Sequence, residues 1–203
     1  IVWRYHPRTK EFEVFADGGG NTFGLHFDAE GRLFSGHNGG GTRGFHFIQN
    51  GQYLKQGKNP GKFGPPPNPF AFGELTMMAS TNSIPRFSHI GICIDAPALP
   101  SRMQGQFLSV DPLHHTLISS NRIPTGSTFK TTDTGFPLRS KDLTFRPVYL
   151  ANAPCGSVIF SDFREQYIAH GQNYQGQIDP NSGRIYRLKG KTSSLLKDRN
   201  LGA

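Results

Sequence analysis

Polar side chains that could bind a charged ligand stand directly before or after short β-type runs of this chain. Asn21, Arg86 and Arg146 each precede such a run, and Asp162 follows another. An arginine guanidinium presents several N–H donors in one plane and therefore suits a carboxylate oxygen. For Arg86 and Arg146 the alternative is a structural ion pair with Asp111 or Asp162. The residue types therefore indicate either an anion-binding site or a set of ion pairs.

A glycine-rich segment, GHNGGG at residues 36–41, carries a second candidate site. Its glycines leave His37 room to face a ligand and leave neighbouring backbone carbonyls free. Oxygen ligands of this kind suit a hard cation such as Ca²⁺, so Asn38 and Gly39 are the candidate metal contacts. The alternative is a glycine loop with a solvent-facing histidine and no ligand.

The remaining histidines give weaker signals. His26 and His46 lie within predicted strands and are expected to be partly buried structural residues. His114 and His115 could ligate a metal, but adjacent side chains of a strand point to opposite faces. The sequence contains no nucleophile elbow, phosphate loop, dinucleotide fingerprint or zinc Cys/His set. The common nucleophile and nucleotide chemistries are therefore not indicated.

The elements that must position these residues are short strands. Residues 24–28 and 32–35 alternate apolar and polar side chains around an Ala-Glu-Gly turn, which predicts a hairpin. Residues 44–49 predict a third strand, and residues 52–55 a short fourth one. Four consecutive antiparallel strands are the unit of a β-propeller blade.

Looser repeats of the same strand and turn pattern predict an all-β propeller of four-stranded antiparallel blades, with about three and a half blades present. The predicted division is: outer strands of a truncated blade at 1–16, a blade at 21–56, a long Pro/Gly/Phe loop at 57–85, blades at 86–137 and 145–191, and the start of a helical segment at 192–203. The chain begins within a strand pattern, so we expect a piece of a longer protein.

Propeller topology predicts that these polar residues share one face. The loop between the second and third strands of a blade opens on the same face as the connection that leads into the next inner strand. We call this face the mouth. The polar residues expected there are Asn21, His37, Asn38, Arg86, Asp111, His114, His115, Arg146, Asp162 and Arg164. Such convergence favours a ligand site.

Composition agrees with this interpretation, since 203 residues include 25 Gly, 15 Pro and 17 Phe. The formal net charge of +8 comes from dispersed basic residues, which favours a solvated basic surface over nucleic-acid binding. The two cysteines, Cys93 and Cys155, are expected to be buried free thiols. No signal peptide, membrane span or haem-attachment motif occurs within these residues.

The chain resembles the propeller region of the bacterial membrane-bound dehydrogenases, relatives of the soluble glucose/sorbosone dehydrogenases that use pyrroloquinoline quinone. The resemblance is carried by IVWRYHPRTKEFEVFADGGGNTFGLHFDAEGRLFSGHNGG, TRGFHF, FRPVYLA and GQIDPNSGRIYRL. Where these relatives begin a segment with an Arg-Asn pair, Asn21 matches and Gly20 replaces the arginine. Their Ca²⁺-binding Gly-Pro carbonyls fall near Asn38 and Gly39, without the proline.

The resemblance implies a six-bladed propeller and hydride transfer from a sugar or alcohol to the quinone, which Ca²⁺ polarises while a histidine base removes the hydroxyl proton. That base corresponds to a blade upstream of these residues. The expected cofactor contacts are Asn21, His37, Arg86, Arg146 and Asp162, and the expected metal contacts are Asn38 and Gly39.

The resemblance also implies an electron acceptor, which would be a c-type haem module downstream or a separate cytochrome. Location is expected to be periplasmic or otherwise extracytoplasmic, with membrane association only through segments beyond these residues. Two alternatives stay open. The propeller could be a non-catalytic module that binds carbohydrate or protein partners, which the missing arginine favours, or it could be an inert scaffold.

Overall fold

The computed structural model describes residues 1–55, 74–85, 90–166 and 179–197. In these ranges the regular elements are β-strands and one short 3₁₀ turn, Ser101–Met103, so the predicted all-β class is confirmed. None of the helical structure in this part of the chain could cross a membrane.

The strands are β1 (Val2–His6), β2 (Glu11–Gly19), β3 (His26–Phe27), β4 (Leu33–Ser35), β5 (Phe45–Phe47), β6 (Gly51–Lys55), β7 (Glu74–Leu75), β8 (Ala79–Ser80), β9 (Gly91–Cys93), β10 (Phe107–Asp111), β11 (Thr116–Thr125), β12 (Thr128–Arg139), β13 (Pro147–Asn152), β14 (Val158–Asp162) and β15 (Arg184–Leu188). They form four sheets, numbered here in chain order: sheet one is β1-β2-β6-β7, sheet two is β3-β4-β5, sheet three is β8-β12-β11-β10-β9 and sheet four is β13-β14-β15.

The sheets pack face to face, and β4 shows how the sequence achieves this. Successive side chains of a strand point to opposite faces. Leu33 therefore packs with Val2 and Ala16 of sheet one, while Phe34, the next residue, packs with Phe107 and Cys93 of sheet three. Two apolar residues in succession thus bury both faces of a short strand. Each buried side chain of this size contributes about 1.5–3 kcal/mol relative to an exposed one.

Sheet two contains the predicted hairpin. β3 and β4 pair antiparallel, and the turn between them is closed by the Gly31 amide, which donates to the Asp28 carbonyl over 3.0 Å. Gly31 adopts φ +77°, a left-handed conformation that favours glycine. β5 then pairs antiparallel with β4 as the third strand. The hairpin and the third strand are therefore confirmed.

The fourth strand of this unit forms but pairs elsewhere. β6 lies parallel to β2 in sheet one, with Ala16 opposite Gly51, and not beside β5. Gly18 explains the close approach of the two strands, because a Cβ there would lie 1.9 Å from the Tyr53 carbonyl oxygen. A strand pattern reports an extended backbone and not its partner, so this pairing could not be predicted from the sequence.

Sheet three contains an antiparallel meander, β9-β10-β11-β12, in the region predicted as the blade at 86–137. β8 joins its outer edge in parallel. Leu108 and Val110 of β10 face sheet four, where they pack with Leu150 and Phe160. The neighbouring Phe107 faces sheet two, so sheet three is also covered on both faces.

Sheet four is an antiparallel set of three described strands in the region predicted as the blade at 145–191. A turn leads into its last strand, where the Asn181 amide donates to the Asp179 carboxylate over 3.0 Å. The segment Asp-Pro-Asn-Ser-Gly at 179–183 is rich in residues that favour such a turn. Residues 193–197 are not helical, and residues 198–203 lie outside the described ranges.

The long connector is described only in part. Residues 74–85 contribute β7 and β8 to sheets one and three, while residues 56–73, with most of the predicted Pro/Gly/Phe loop, lie outside the described ranges. Cys93 and Cys155 are buried free thiols, as expected.

Candidate functional site

The glycine loop at residues 36–41 is held against the end of β2. The Nδ1 atom of His37 donates to the Gly20 carbonyl over 3.1 Å, and the ring edge meets Phe45 at a centroid distance of 5.3 Å. His37 is 7% exposed. Burial lowers its pKa below the ordinary value, and the hydrogen bond to Gly20 opposes this only in part. His37 is thus a buried, neutral residue that fixes the loop, and it does not face solvent.

Gly39 lies directly against the His37 ring. A Cβ built on Gly39 would lie 2.1 Å from His37 Nε2, so the close approach requires glycine at this position. The loop is further tied down by the Gly41 amide, which donates to the Ile84 carbonyl over 3.0 Å. Thr42 follows, and its hydroxyl donates to the Met78 carbonyl over 2.5 Å. The glycine loop is therefore anchored at both ends.

Asn38 carries the unusual feature of this loop. The residue is 3% exposed, and within the described ranges its side-chain Oδ1 is buried without a hydrogen-bond partner. An unsatisfied buried acceptor costs about 1–3 kcal/mol, and native structures contain few of them. The next residue, Gly39, is exposed. The site therefore places an uncompensated oxygen next to backbone that a ligand can reach.

Asn21 is connected to the same loop through its neighbour Gly20. It follows Gly20, the residue that His37 contacts, and it adopts φ +46°, which asparagine tolerates better than most residues. Asn21 is exposed. The predicted residues Asn21, His37, Asn38 and Gly39 are therefore brought together around the Gly20 carbonyl.

Arg146 lies in a cage of backbone carbonyls. Its Nε donates to Glu165 over 2.7 Å, and its two terminal nitrogens donate to Pro112 over 2.9 Å and to Gln166 over 2.7 Å. The side chain is buried, and burial lowers its pKa below the ordinary value of an arginine. Arg146 therefore joins the β10–β11 turn to the segment after β14.

Asp162 is adjacent and also engaged. One carboxylate oxygen accepts from the Arg146 amide over 2.6 Å and from the Arg164 amide over 2.8 Å. The other accepts from Nε of Arg184 over 2.8 Å. Asp162 therefore forms an ion pair with Arg184. The alternative of an ion pair between the Arg146 side chain and Asp162 is not found, because the Arg146 guanidinium binds backbone carbonyls.

The end of β10 and the β10–β11 turn carry three further predicted residues, Asp111, His114 and His115. The buried Asp111 accepts from Nδ1 of the exposed His114 over 2.8 Å. His115 turns away with φ +56°, and its Nδ1 donates to the Phe145 carbonyl over 2.9 Å. The two histidines therefore make separate contacts, as adjacent residues are expected to.

Arg86 lies outside the described residues. Within the described ranges no three His, Cys, Asp or Glu side chains are grouped closely enough to hold a metal ion. A cation at the glycine loop would therefore bind through amide and carbonyl oxygens.

Sequence reasoning did not identify a polar cluster that joins sheets two and three. Asp28 accepts from Nε of Arg32 over 2.7 Å and from Nη1 of Arg122 over 2.8 Å. Arg122 also stacks on Phe34, with its Cζ 4.8 Å from the ring centroid. The spacing from Asp28 to Arg32 could have indicated the local half of this cluster. Arg122 is 94 residues away from Asp28, and no sequence signal links the two.

Comparison with known proteins identifies a family and a fold. The family described as Domain of unknown function (DUF7133) matches residues 1–192. No curated protein matches the sequence. A crystal structure from Thermus thermophilus, described as an oxidoreductase (glucose dehydrogenase), superposes with a TM-score of 0.50 at 16% identity, covering 86% of this chain. This chain spans 46% of the length of that protein. The likeness shows the fold, which is of the propeller type predicted from the sequence.

Proposed function

The chain belongs to the DUF7133 family, and we propose that it forms part of a sugar or alcohol dehydrogenase that transfers hydride to pyrroloquinoline quinone held with Ca²⁺. The fold shared with the oxidoreductase (glucose dehydrogenase) structure supports the architecture of this proposal. Its chemistry rests on the glycine loop.

One observation carries the proposal: the buried Oδ1 of Asn38, which has no partner in the described ranges. Ca²⁺ prefers six to eight oxygen ligands, including amide and backbone carbonyls. Asn38 Oδ1 and the Gly39 carbonyl are oxygen donors of this type. A bound cation would compensate the cost of the buried acceptor, and water and cofactor oxygens would complete the ligand set.

The other loop residues would orient and support these donors. His37 is buried, is kept neutral by its surroundings and donates to the Gly20 carbonyl. It therefore fixes the backbone on both sides of the site without adding a positive charge beside a cation. Asn21, exposed next to Gly20, would contact the cofactor edge. When bound, Ca²⁺ and the quinone supply the hydride acceptor.

Because residue 20 is glycine, this site carries less positive charge than the corresponding site of the quinone-dependent dehydrogenases that the chain resembles. The resemblance places an arginine at this position, and glycine cannot replace its charge. Arg86 is the remaining predicted arginine that we assign to the cofactor. We assign Arg146 and Asp162 to the support of the neighbouring loops, because their polar groups are engaged by backbone carbonyls, backbone amides and Arg184.

We further propose a small sugar or alcohol as the substrate and a c-type haem module or cytochrome as the electron acceptor. The full-length protein is proposed to be periplasmic or otherwise extracytoplasmic. The net charge of +8 would favour association with an anionic cofactor and with an acidic electron-acceptor surface.

The test is dye reduction by the full-length protein supplied with the quinone, Ca²⁺ and an aldose or alcohol. We expect turnover that disappears on chelation and falls at least tenfold in Asn38→Ala. Asn181→Ala is the matched control, because it removes the same side chain from an exposed turn. Absence of turnover with every substrate and no quinone binding would remove the proposal.

A second candidate is a non-catalytic module that binds carbohydrate. It is favoured by Gly20 and by aromatic side chains on and near two strands: Phe27 is 61% exposed, Phe23 55% and Tyr149 48%. Exposed aromatic rings suit stacking on sugar rings. Binding on a glycan array that Tyr149→Ala abolishes, with no redox turnover, would favour this function over the dehydrogenase.

A further inference from the structure

A groove lies between sheets three and four, and no residue of the glycine loop lines it. It has a volume of about 260 Å³. It is lined by the last two residues of β12, the residue after β12, the residue before Arg146 and two aromatic residues of sheet four: Leu138, Arg139, Ser140, Phe145, Phe160 and Tyr186. Its volume is just below the roughly 300–1,000 Å³ of sites for drug-sized ligands. A ligand with one ring and a short chain matches this size.

The floor of the groove is aromatic. Phe160 and Tyr186 are stacked at a centroid distance of 5.2 Å, and Phe145 meets both edge-on at 6.1 Å. These contacts hold the three rings in fixed orientations, which limits the conformational entropy lost on binding. An aromatic ligand could continue the cluster through edge or offset contacts.

The charges around the groove are not equivalent. Arg184, near Tyr186, is engaged by Asp162 over 2.8 Å and by Asp142 over 3.2 Å. Arg139 is exposed and stacks on Phe136, with its Cζ 4.0 Å from the ring centroid. In the described part of the chain Arg139 has no carboxylate partner. Arg139 is therefore the cation that an anionic ligand would meet.

A second donor, Ser140, follows Arg139 in the chain and also lines the groove. The Ser140 hydroxyl oxygen accepts from the Asp142 amide over 3.0 Å, which leaves its hydrogen for another acceptor. The Ser140 amide donates to the His115 carbonyl over 2.9 Å and so holds the residue in place. The Arg139 guanidinium and the Ser140 hydroxyl are both donors from which a carboxylate in the groove can accept hydrogen bonds.

We propose that this groove binds a small aromatic carboxylate, with the ring on Phe145, Phe160 and Tyr186 and the carboxylate between Arg139 and Ser140. The site is separate from the glycine loop, so it does not depend on the proposed dehydrogenase function. It would act as an accessory or regulatory ligand site between sheets three and four.

The test is calorimetric titration of the full-length protein with 3-phenylpropionate and, separately, with its neutral analogue 3-phenylpropanamide. We expect the carboxylate to bind at least fivefold more tightly than the amide. Arg139→Gln should remove this difference and leave amide binding unchanged. Lys141→Gln is the matched control, because it removes the same charge two residues away without altering the groove lining.

Amide chemical-shift mapping locates the site independently of affinity. We expect saturable shifts at residues 138–140 and 186, with little change at residues 36–41. Equal loss of affinity in both charge variants would assign binding to the net positive charge and overturn the proposal. So would shifts confined to other apolar surfaces, or the absence of saturable binding in a protein whose unfolding is unchanged.

Discussion

Arg122 of β11 reaches across to Asp28 in the β3–β4 turn and donates to its carboxylate from Nη1 over 2.8 Å. The Asp28 side chain is 2% exposed and that of Arg122 is 10% exposed. The same carboxylate binds Arg32, so one buried anion is held by two cations. Because Arg122 also covers Phe34, the ion pair and the apolar core between sheets two and three depend on one side chain.

Arg122→Gln should therefore destabilise the protein by about 2–4 kcal/mol, since it removes a buried charge partner and an aromatic contact. Urea unfolding monitored by circular dichroism measures this. Arg4→Gln is the matched control: the Arg4–Glu13 pair has both side chains about half exposed, and we expect less than about 1 kcal/mol. Equal effects of the two substitutions would show that the Asp28 cluster does not hold the sheets together.

Acid should weaken the same cluster. Burial raises the pKa of Asp28, but hydrogen bonds from Arg32 and Arg122 outweigh it and lower the pKa from 3.8 to about 2. A depressed pKa in the folded state means that the contribution is complete above the unfolded value and is lost as the pH falls towards 2. The free energy of unfolding should therefore decrease between about pH 4 and pH 2.

Asp28→Asn isolates this effect, since it should be less stable at pH 7 but lose less stability over that interval. Asp142, whose pKa is also lowered to about 2 by hydrogen bonds from Thr144, remains in both proteins and cancels from the comparison. Parallel pH profiles of the two proteins would contradict the assignment of the carboxylate charge to Asp28.

Gly39→Ala tests the packing of the glycine loop. The new Cβ would lie 2.1 Å from His37 Nε2, and His37 cannot move freely because it is buried and bonded to Gly20. We expect a loss of about 1–3 kcal/mol in unfolding free energy. At Gly183 a Cβ would meet only the Asp162 carbonyl at 3.7 Å, so Gly183→Ala should cost less than about 1 kcal/mol. A neutral Gly39→Ala variant would show that the loop adapts easily.

His37 should make the loop sensitive to mild acid. Burial lowers its pKa below 6.5, so the neutral form stabilises the fold above that pH, and this contribution is lost as the pH falls through the lower folded value. His37→Asn keeps a donor for the Gly20 carbonyl and does not titrate. We expect it to flatten part of the decrease in thermal stability below pH 6.5. The remaining decrease belongs to His26 and His46, whose pKa values burial also lowers.

The sequence was sufficient for features that depend on neighbouring residues. Alternation and the Gly31 turn define the β3–β4 hairpin, and the glycines around His37 mark a close backbone approach. The long-range partner of β6 was not accessible, because an extended strand can pair at either edge of several sheets. The sequence therefore could not indicate that the short fourth strand, β6, lies in sheet one.

The same distinction applies to the candidate site. The candidate residues come together because His37 donates to the Gly20 carbonyl. Asn21 directly follows Gly20, and Asn38 and Gly39 directly follow His37. The role of Arg146 could not be predicted, since its partners are the backbone carbonyls of Pro112, Glu165 and Gln166. Residue types carry no information about which carbonyls turn inward, so a buried arginine cage and a ligand-facing arginine look alike in a sequence.

The proposed quinone and Ca²⁺ site at the glycine loop is tested by equilibrium titration of the full-length protein with pyrroloquinoline quinone in the presence and absence of Ca²⁺, followed by quinone absorbance. We expect saturable binding that requires Ca²⁺, a higher unfolding temperature with both ligands present, and at least tenfold weaker binding in Asn38→Ala than in Asn181→Ala. Binding that is unaffected by Ca²⁺ and by Asn38→Ala, or no binding at all, would contradict it.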